Sequence, residues 1–87
     1  MEDRHLAANM FADISGYTSL MGRDEDKAFQ ILRKNRDIQR PIIKKYRGDW
    51  LKEMGDGILS SFNTASDAVR CAGEIQNAAK KEGMLYG

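Results

Sequence analysis

Two aspartates are the residues best placed to do chemistry. Asp13 follows the short apolar run Leu6-Ala7-Ala8-Asn9-Met10-Phe11-Ala12, and Asp56 stands between Gly55 and Gly57. Carboxylates brought together from separate elements make a hard, oxygen-rich site suited to magnesium or manganese. Magnesium keeps several waters and takes one or two carboxylates plus substrate phosphates. Directly after Asp13 and Ile14 comes Ser15-Gly16-Tyr17-Thr18. Backbone amides at a helix start bind phosphate, and a glycine there lets the chain approach closely. Read together, these residues form a metal–polyphosphate site. A plainer reading stays open at this point, because Asp-Gly is ordinary turn chemistry and an aspartate before a turn can cap a helix.

Other residues carry less. Lys52 reads as a solvated strand residue. Trp50, Met54 and Phe62 read as core or interface, and His5 as surface. Cys71, on a helix face, reads as a small packed side chain.

The elements that must position these groups follow from periodicity. Leu6 to Ala12 reads as a buried strand, stopped by a turn at Ser15-Gly16. Tyr17 to Met21 forms a short helix closed by Gly22. From Asp24 to Arg47, Ala28, Ile31, Ile38, Ile42 and Tyr46 recur on one helical face, widened by Phe29, Leu32 and Ile43. Acidic residues open this helix and basic residues close it, which suits the helix dipole. Pro41 predicts a kink or break, and Gly48 a C-cap. Asp49 to Met54 and Ile58 to Phe62 flank Gly55-Asp56-Gly57 and read as a hairpin. Thr64 caps a last helix, with Asp67 near the reciprocal position. Its stripe is Ala68, Ala72, Ile75 and Ala79, flanked by Val69, and it ends near Glu82 and Gly83. Met84-Leu85-Tyr86 reads as the start of a closing strand.

The order strand, helices, strand, strand, helix resembles three-quarters of a split β-α-β, ferredoxin-like motif. The expected class is α+β, a partial β-α-α-β-β-α arrangement whose closing strand would pair with the first. In that topology the end of the first strand and the hairpin tip meet.

Composition sets the outer limits. The chain has 87 residues, 41% apolar and 31% charged, with 14 basic against 13 acidic residues. A balance of +1 gives no field for non-specific nucleic-acid binding. One cysteine and one histidine exclude an intrachain disulfide and any two-histidine site. No stretch is long and apolar enough to span a membrane, and Met1-Glu2-Asp3-Arg4-His5 lacks the apolar core expected of a signal peptide. A reducing, cytoplasmic setting is the expectation.

Two segments resemble a known family. Phe11-Ala12-Asp13-Ile14-Ser15-Gly16-Tyr17-Thr18 is similar to the signature Phe-x-Asp-Ile-x-Gly-[Phe/Tyr]-Thr that opens class III nucleotidyl cyclase catalytic domains. Leu51-Lys52-Glu53-Met54-Gly55-Asp56-Gly57 resembles their second signature, Lys-x-x-Gly-Asp. The resemblance runs from about Leu6 onward and implies the N-terminal half of such a domain, a truncated piece of a nucleotide cyclase fold.

The family converts a nucleoside triphosphate to its 3′,5′-cyclic monophosphate and pyrophosphate. The resemblance implies that Asp13, Asp56 and the Ile14 carbonyl bind two divalent cations, magnesium or manganese. It assigns Ser15, Gly16, Tyr17 and Thr18 to phosphate binding. It assigns Lys52 to the purine, where an ammonium can donate to N1 of adenine, so ATP is expected over GTP. Family enzymes dimerise and build each active site across the interface, so a homodimer or other self-association is expected. The family's second base-reading residue, ribose-orienting asparagine and transition-state arginine have no counterpart in these 87 residues. Little or no activity is therefore expected of this segment alone. The alternative is a cyclase-like module that binds nucleotide or a partner without turnover.

Overall fold

The structure, a computed structural model, describes residues 7–84. The chain runs β1 (Ala8–Asp13), α1 (Tyr17–Arg23), α2 (Glu25–Lys45), β2 (Asp49–Met54), β3 (Gly57–Phe62) and α3 (Ala65–Lys81). The expected element order is the observed one. His5, Leu6 and the segment Leu85-Tyr86 lie outside the described residues.

The three strands form one antiparallel sheet in the order β1-β3-β2. Residues opposite one another share a sheet face. Met10, Ser60 and Trp50 stand in one such row and Phe11, Leu59 and Lys52 in the next. α2 and α3 cover the first face. There Ile42, Ile43, Ile58, Phe62, Cys71 and Ile75 form the main core, with Met10, Ile38, Tyr46 and Trp50 packed against it. The other face is open. Phe11, Leu51 and Met54 are exposed large apolar residues on its strands.

Helix boundaries follow local chemistry. Asp24 serves two helices: its N–H donates to Leu20 O at 2.7 Å, and its Oδ1 accepts from Lys27 N at 3.1 Å. Gly22 therefore lies inside α1, which ends at Arg23 rather than Met21. Thr64 caps α3 as expected, its Oγ1 accepting from Asp67 N at 3.1 Å.

α2 runs unbroken through Pro41. Proline removes one bond, to the carbonyl of Asp37. Both residues face solvent, where water can serve that carbonyl. The helix also ends two residues earlier than expected. Tyr46 is the cap, and Arg47, with φ 60°, takes the left-handed position. Arg47 N donates to Lys44 O (3.0 Å) and Gly48 N to Ile43 O (2.8 Å), the paired bonds of a Schellman ending. Gly48 is needed for space. A Cβ there would lie 2.5 Å from Phe62 Cε1 and 2.8 Å from Ile43 Cγ2.

The apolar stripes need two corrections. Phe29 and Val69 are exposed, the latter at 70%. On α2 the buried line instead continues through Asn35 and Gln39, which are 1% and 0% exposed. Gln39 Nε2 donates to Asn35 Oδ1 at 2.9 Å. A polar pair can lie in a core when it is hydrogen-bonded, so hydropathy alone misses it. Cys71 is fully buried, and burial pushes its thiol up to about 11.

Candidate active site

Asp13 is the last residue of β1 and stands opposite Gly57, the first residue of β3. Asp56 immediately precedes Gly57. The hairpin turn is the two-residue step Gly55-Asp56, since Met54 pairs with Gly57. Gly55 carries φ 58°, and no non-glycine residue of the turn has a positive φ. A positive φ at the first turn position is the II′ pattern, which glycine adopts without strain. Gly-Asp, not Asp-Gly, thus makes the turn, and Asp56 is set at its exit.

The loop after β1 is held from below. Ile14 is buried at 6% exposure beside Ala79 and Met84, with Tyr17, Ile31 and Leu32 packed around them. Met84 N donates to Ala79 O at 2.8 Å, and Gly83 has φ 73°, so the end of α3 closes as a Schellman turn under this cluster. Burial of Ile14 fixes its neighbours: Asp13 is half-buried and Ser15 exposed. Gly16, at φ 75°, is the N-cap of α1, and no side chain caps that helix. Asp13 is therefore a strand-end residue and not a cap. The first bond of α1 is Leu20 N to Gly16 O at 3.0 Å. The amides of Tyr17, Thr18 and Ser19 precede that ladder, as the first amides of any helix do.

A single open cleft of about 540 Å³ is lined by Asp13, Ile14, Ser15, Gly16, Tyr17, Thr18, Ser19 and Asp56. It gathers both aspartates and the loop between β1 and α1. Its side-chain donors are carboxylate and hydroxyl oxygens, with no thiol or imidazole. Among the described residues no group of three or more His, Cys, Asp or Glu side chains is placed to hold a metal. The carboxylate donors in the cleft are the two aspartates, a set that fits a hard divalent ion retaining waters.

Lys52 does not line this cleft. It stands opposite Leu59, two ladder positions from the Gly57 row. Two strand spacings and two residue rises separate it from Asp13, roughly 12 Å between backbones. Both residues nevertheless belong to the open face. The cause is a bulge in β2 between Trp50 and Lys52. Strict alternation would return Lys52 to the face of Trp50; the extra residue, Leu51, re-aims it outward. Leu51 and Lys52 are both exposed.

Supporting contacts hold β2 from the helix side. Arg36 Nε donates to Glu53 Oε1 at 2.6 Å. The Arg40 guanidinium lies 4.5 Å from the centroid of the Trp50 ring. The sequence carries no signal for either pairing, because the partners stand on different elements and a separation such as the 17 residues from Arg36 to Glu53 matches no helical or strand period. At the far end of α2, Glu74 Oε1 accepts from Lys45 Nζ (2.8 Å) and Tyr46 OH (2.7 Å). Those two hydrogen bonds hold the Glu74 carboxyl below its usual range and raise Lys45 and Tyr46.

An antiparallel sheet with its helices on one face, and a pair of aspartates at the strand end and hairpin, defines part of a nucleotide cyclase fold. No family model matches the chain. It is 38% identical over 76 residues to the Rhizobium meliloti (strain 1021) protein named "Putative adenylate cyclase 3", covering 86% of this chain and 13% of that protein. An adenylate/guanylate cyclase/hydrolase from Silicibacter pomeroyi shares the fold at TM-score 0.69 and 34% identity, over 88% of this chain and 48% of its own. A bacterial light-regulated adenylyl cyclase superposes at TM-score 0.80 with 23% identity, over 86% of this chain and 41% of its own. The chain thus spans less than half the length of each of these three proteins. On the two signatures, this identity and the shared fold, the chain belongs to the class III nucleotide cyclase family. Among the described residues no helix is long and apolar enough to cross a membrane.

Proposed function

We propose that this segment is the N-terminal half of an adenylate cyclase catalytic domain, whose parent protein converts ATP to 3′,5′-cyclic AMP and pyrophosphate. One observation carries the reading. The β1–β3 register sets Asp13 against Gly57, so Asp56 is its neighbour and both line one cleft with Ser15 to Thr18.

Asp13, Asp56 and the Ile14 carbonyl are the groups to hold two divalent cations, magnesium or manganese. Such ions, when bound, lower the pKa of a ribose hydroxyl and neutralise phosphate charge. The chain's own part is to position. Ile14 anchors the loop, Gly16 turns it, and the amides of Gly16 to Thr18 meet phosphate oxygens at the start of α1. Lys52, on the same open face, donates to N1 of adenine, which favours ATP. A second protomer covers the exposed Phe11, Leu51 and Met54, and residues outside this segment complete the site.

The test is cyclic AMP formation by the full-length protein with ATP and Mn²⁺. Turnover that is lost in Asp13→Asn and Asp56→Asn supports the reading. Full activity in either variant, or none in the native protein, sinks it.

A further inference from the structure

Gly57 pairs with Asp13 but has no side chain to place against it. Cross-strand side-chain contact is what stabilises a ladder pair, so the last rung of β1–β3 lacks its usual support. Phe11 supplies it. In register Phe11 faces Leu59, yet its ring reaches diagonally over Gly57. A Cβ on Gly57 would collide with Cζ, Cε1 and Cε2 of Phe11. Gly57 is buried, while Phe11 remains 49% exposed. A ring laid over a strand glycine this way rescues the pairing that glycine weakens. The contact joins the residue two before Asp13 to the residue directly after Asp56.

We propose that Phe11 is a positioning residue for the Asp13–Asp56 carboxylate pair, acting through Gly57. This rests on the reading that the two aspartates hold divalent cations. Cation ligands must be held to about 0.5 Å, and supporting contacts do that work. Here one ligand ends a strand and the other leaves a turn, so each can drift as the terminal rung opens. The ring pins that rung from the open face, which no helix among the described residues covers.

The experiment uses the full-length protein and Mn²⁺ alone, with binding followed by the electron paramagnetic resonance of free Mn²⁺ and folding by thermal melting. Phe11→Ala should weaken Mn²⁺ binding about tenfold, the scale of a lost supporting contact. Gly57→Ala should do the same, because the added methyl pushes the ring aside. The double variant should be no worse than either single one, since both remove the same contact. Phe11→Tyr, which keeps the ring, should bind as the native protein does. Native affinity in Phe11→Ala, or additive losses in the double variant, overturns the inference. If Phe11→Ala does not fold, Phe11→Leu carries the test with the same expected loss, and native affinity there overturns it. Asp13→Asn separates the two levels. If it leaves Mn²⁺ binding intact, the cation reading itself fails and the inference with it.

Discussion

Asp13 stands opposite Gly57 across the β1–β3 ladder. That one pairing makes neighbours of two aspartates 43 positions apart in sequence (13 to 56). Replacing either by asparagine keeps shape and removes charge. Asp13→Asn and Asp56→Asn should each lower cyclic AMP formation by the parent protein roughly a hundredfold or more, the scale of lost charge stabilisation in such sites. The far-ultraviolet circular dichroism should not change. A loss appearing only as weaker ATP binding, with turnover intact, would contradict a role in the chemical step.

Lys52 owes its outward aim to the bulge at Leu51. Lys52→Glu should cut ATP use relative to GTP by about tenfold or more, since a hydrogen-bonding site rejects the base it cannot pair. Competition between the two nucleotides in one assay measures the ratio. An unchanged ratio makes Lys52 a surface residue.

Gly48 fits under Phe62 and Ile43 with no room for a methyl group. Both neighbours are buried in the core and cannot swing away. Gly48→Ala should therefore cost about 1–3 kcal/mol through overpacking. Urea unfolding reads the change. Gly73, with nothing within 4 Å of a Cβ, is the control. Gly73→Ala, in a helix, should be neutral or stabilising.

The Glu74 carboxyl is held below its usual range by Lys45 and Tyr46. A depressed folded pKa gives stability that is present above the unfolded value, near 4.5, and lost as pH falls through the folded one. The raised Lys45 and Tyr46 work oppositely: their contribution is present below about 10 and lost as pH rises through the folded values. The gap in stability between native and Glu74→Gln proteins should shrink as pH falls below 4.5. A gap constant from pH 6 to pH 2 would mean that the charge of Glu74 contributes nothing. The side chains of this cluster are solvent-accessible, so salt should weaken the effect.

Phe11, Leu51 and Met54 leave an apolar open face, and β1 lies at one edge of the described sheet. Such faces and edges template association. Sedimentation at micromolar concentration should show the 87-residue chain larger than a monomer. Leu51→Lys should shift it toward monomer if the open face is used, and leave it unchanged if the β1 edge is. A monomeric native chain rejects both routes.

Local chemistry is legible in the residues themselves. Thr64 announces its helix, Gly55-Asp56-Gly57 its hairpin, and the apolar run before Asp13 its strand. Those signals act over a few residues, so they survive without a tertiary context. The two signatures around Asp13 and Asp56 likewise name the family before any fold is seen. What the sequence could not decide depends on elements meeting. Pro41 stays inside α2 because the bond it removes faces water. Asn35 and Gln39 are buried against their hydropathy, joined by the hydrogen bond from Gln39 Nε2 to Asn35 Oδ1, while Gln39 Oε1 has no partner among the described residues. Lys52 turns outward because Leu51 is the extra residue of a bulge, and a bulge exists only against a partner strand. Phe11 looks like core by composition, yet it lies on the open face over Gly57. A strand's alternation gives two faces and no indication of which is covered. Here the packing of α2 and α3 made that choice.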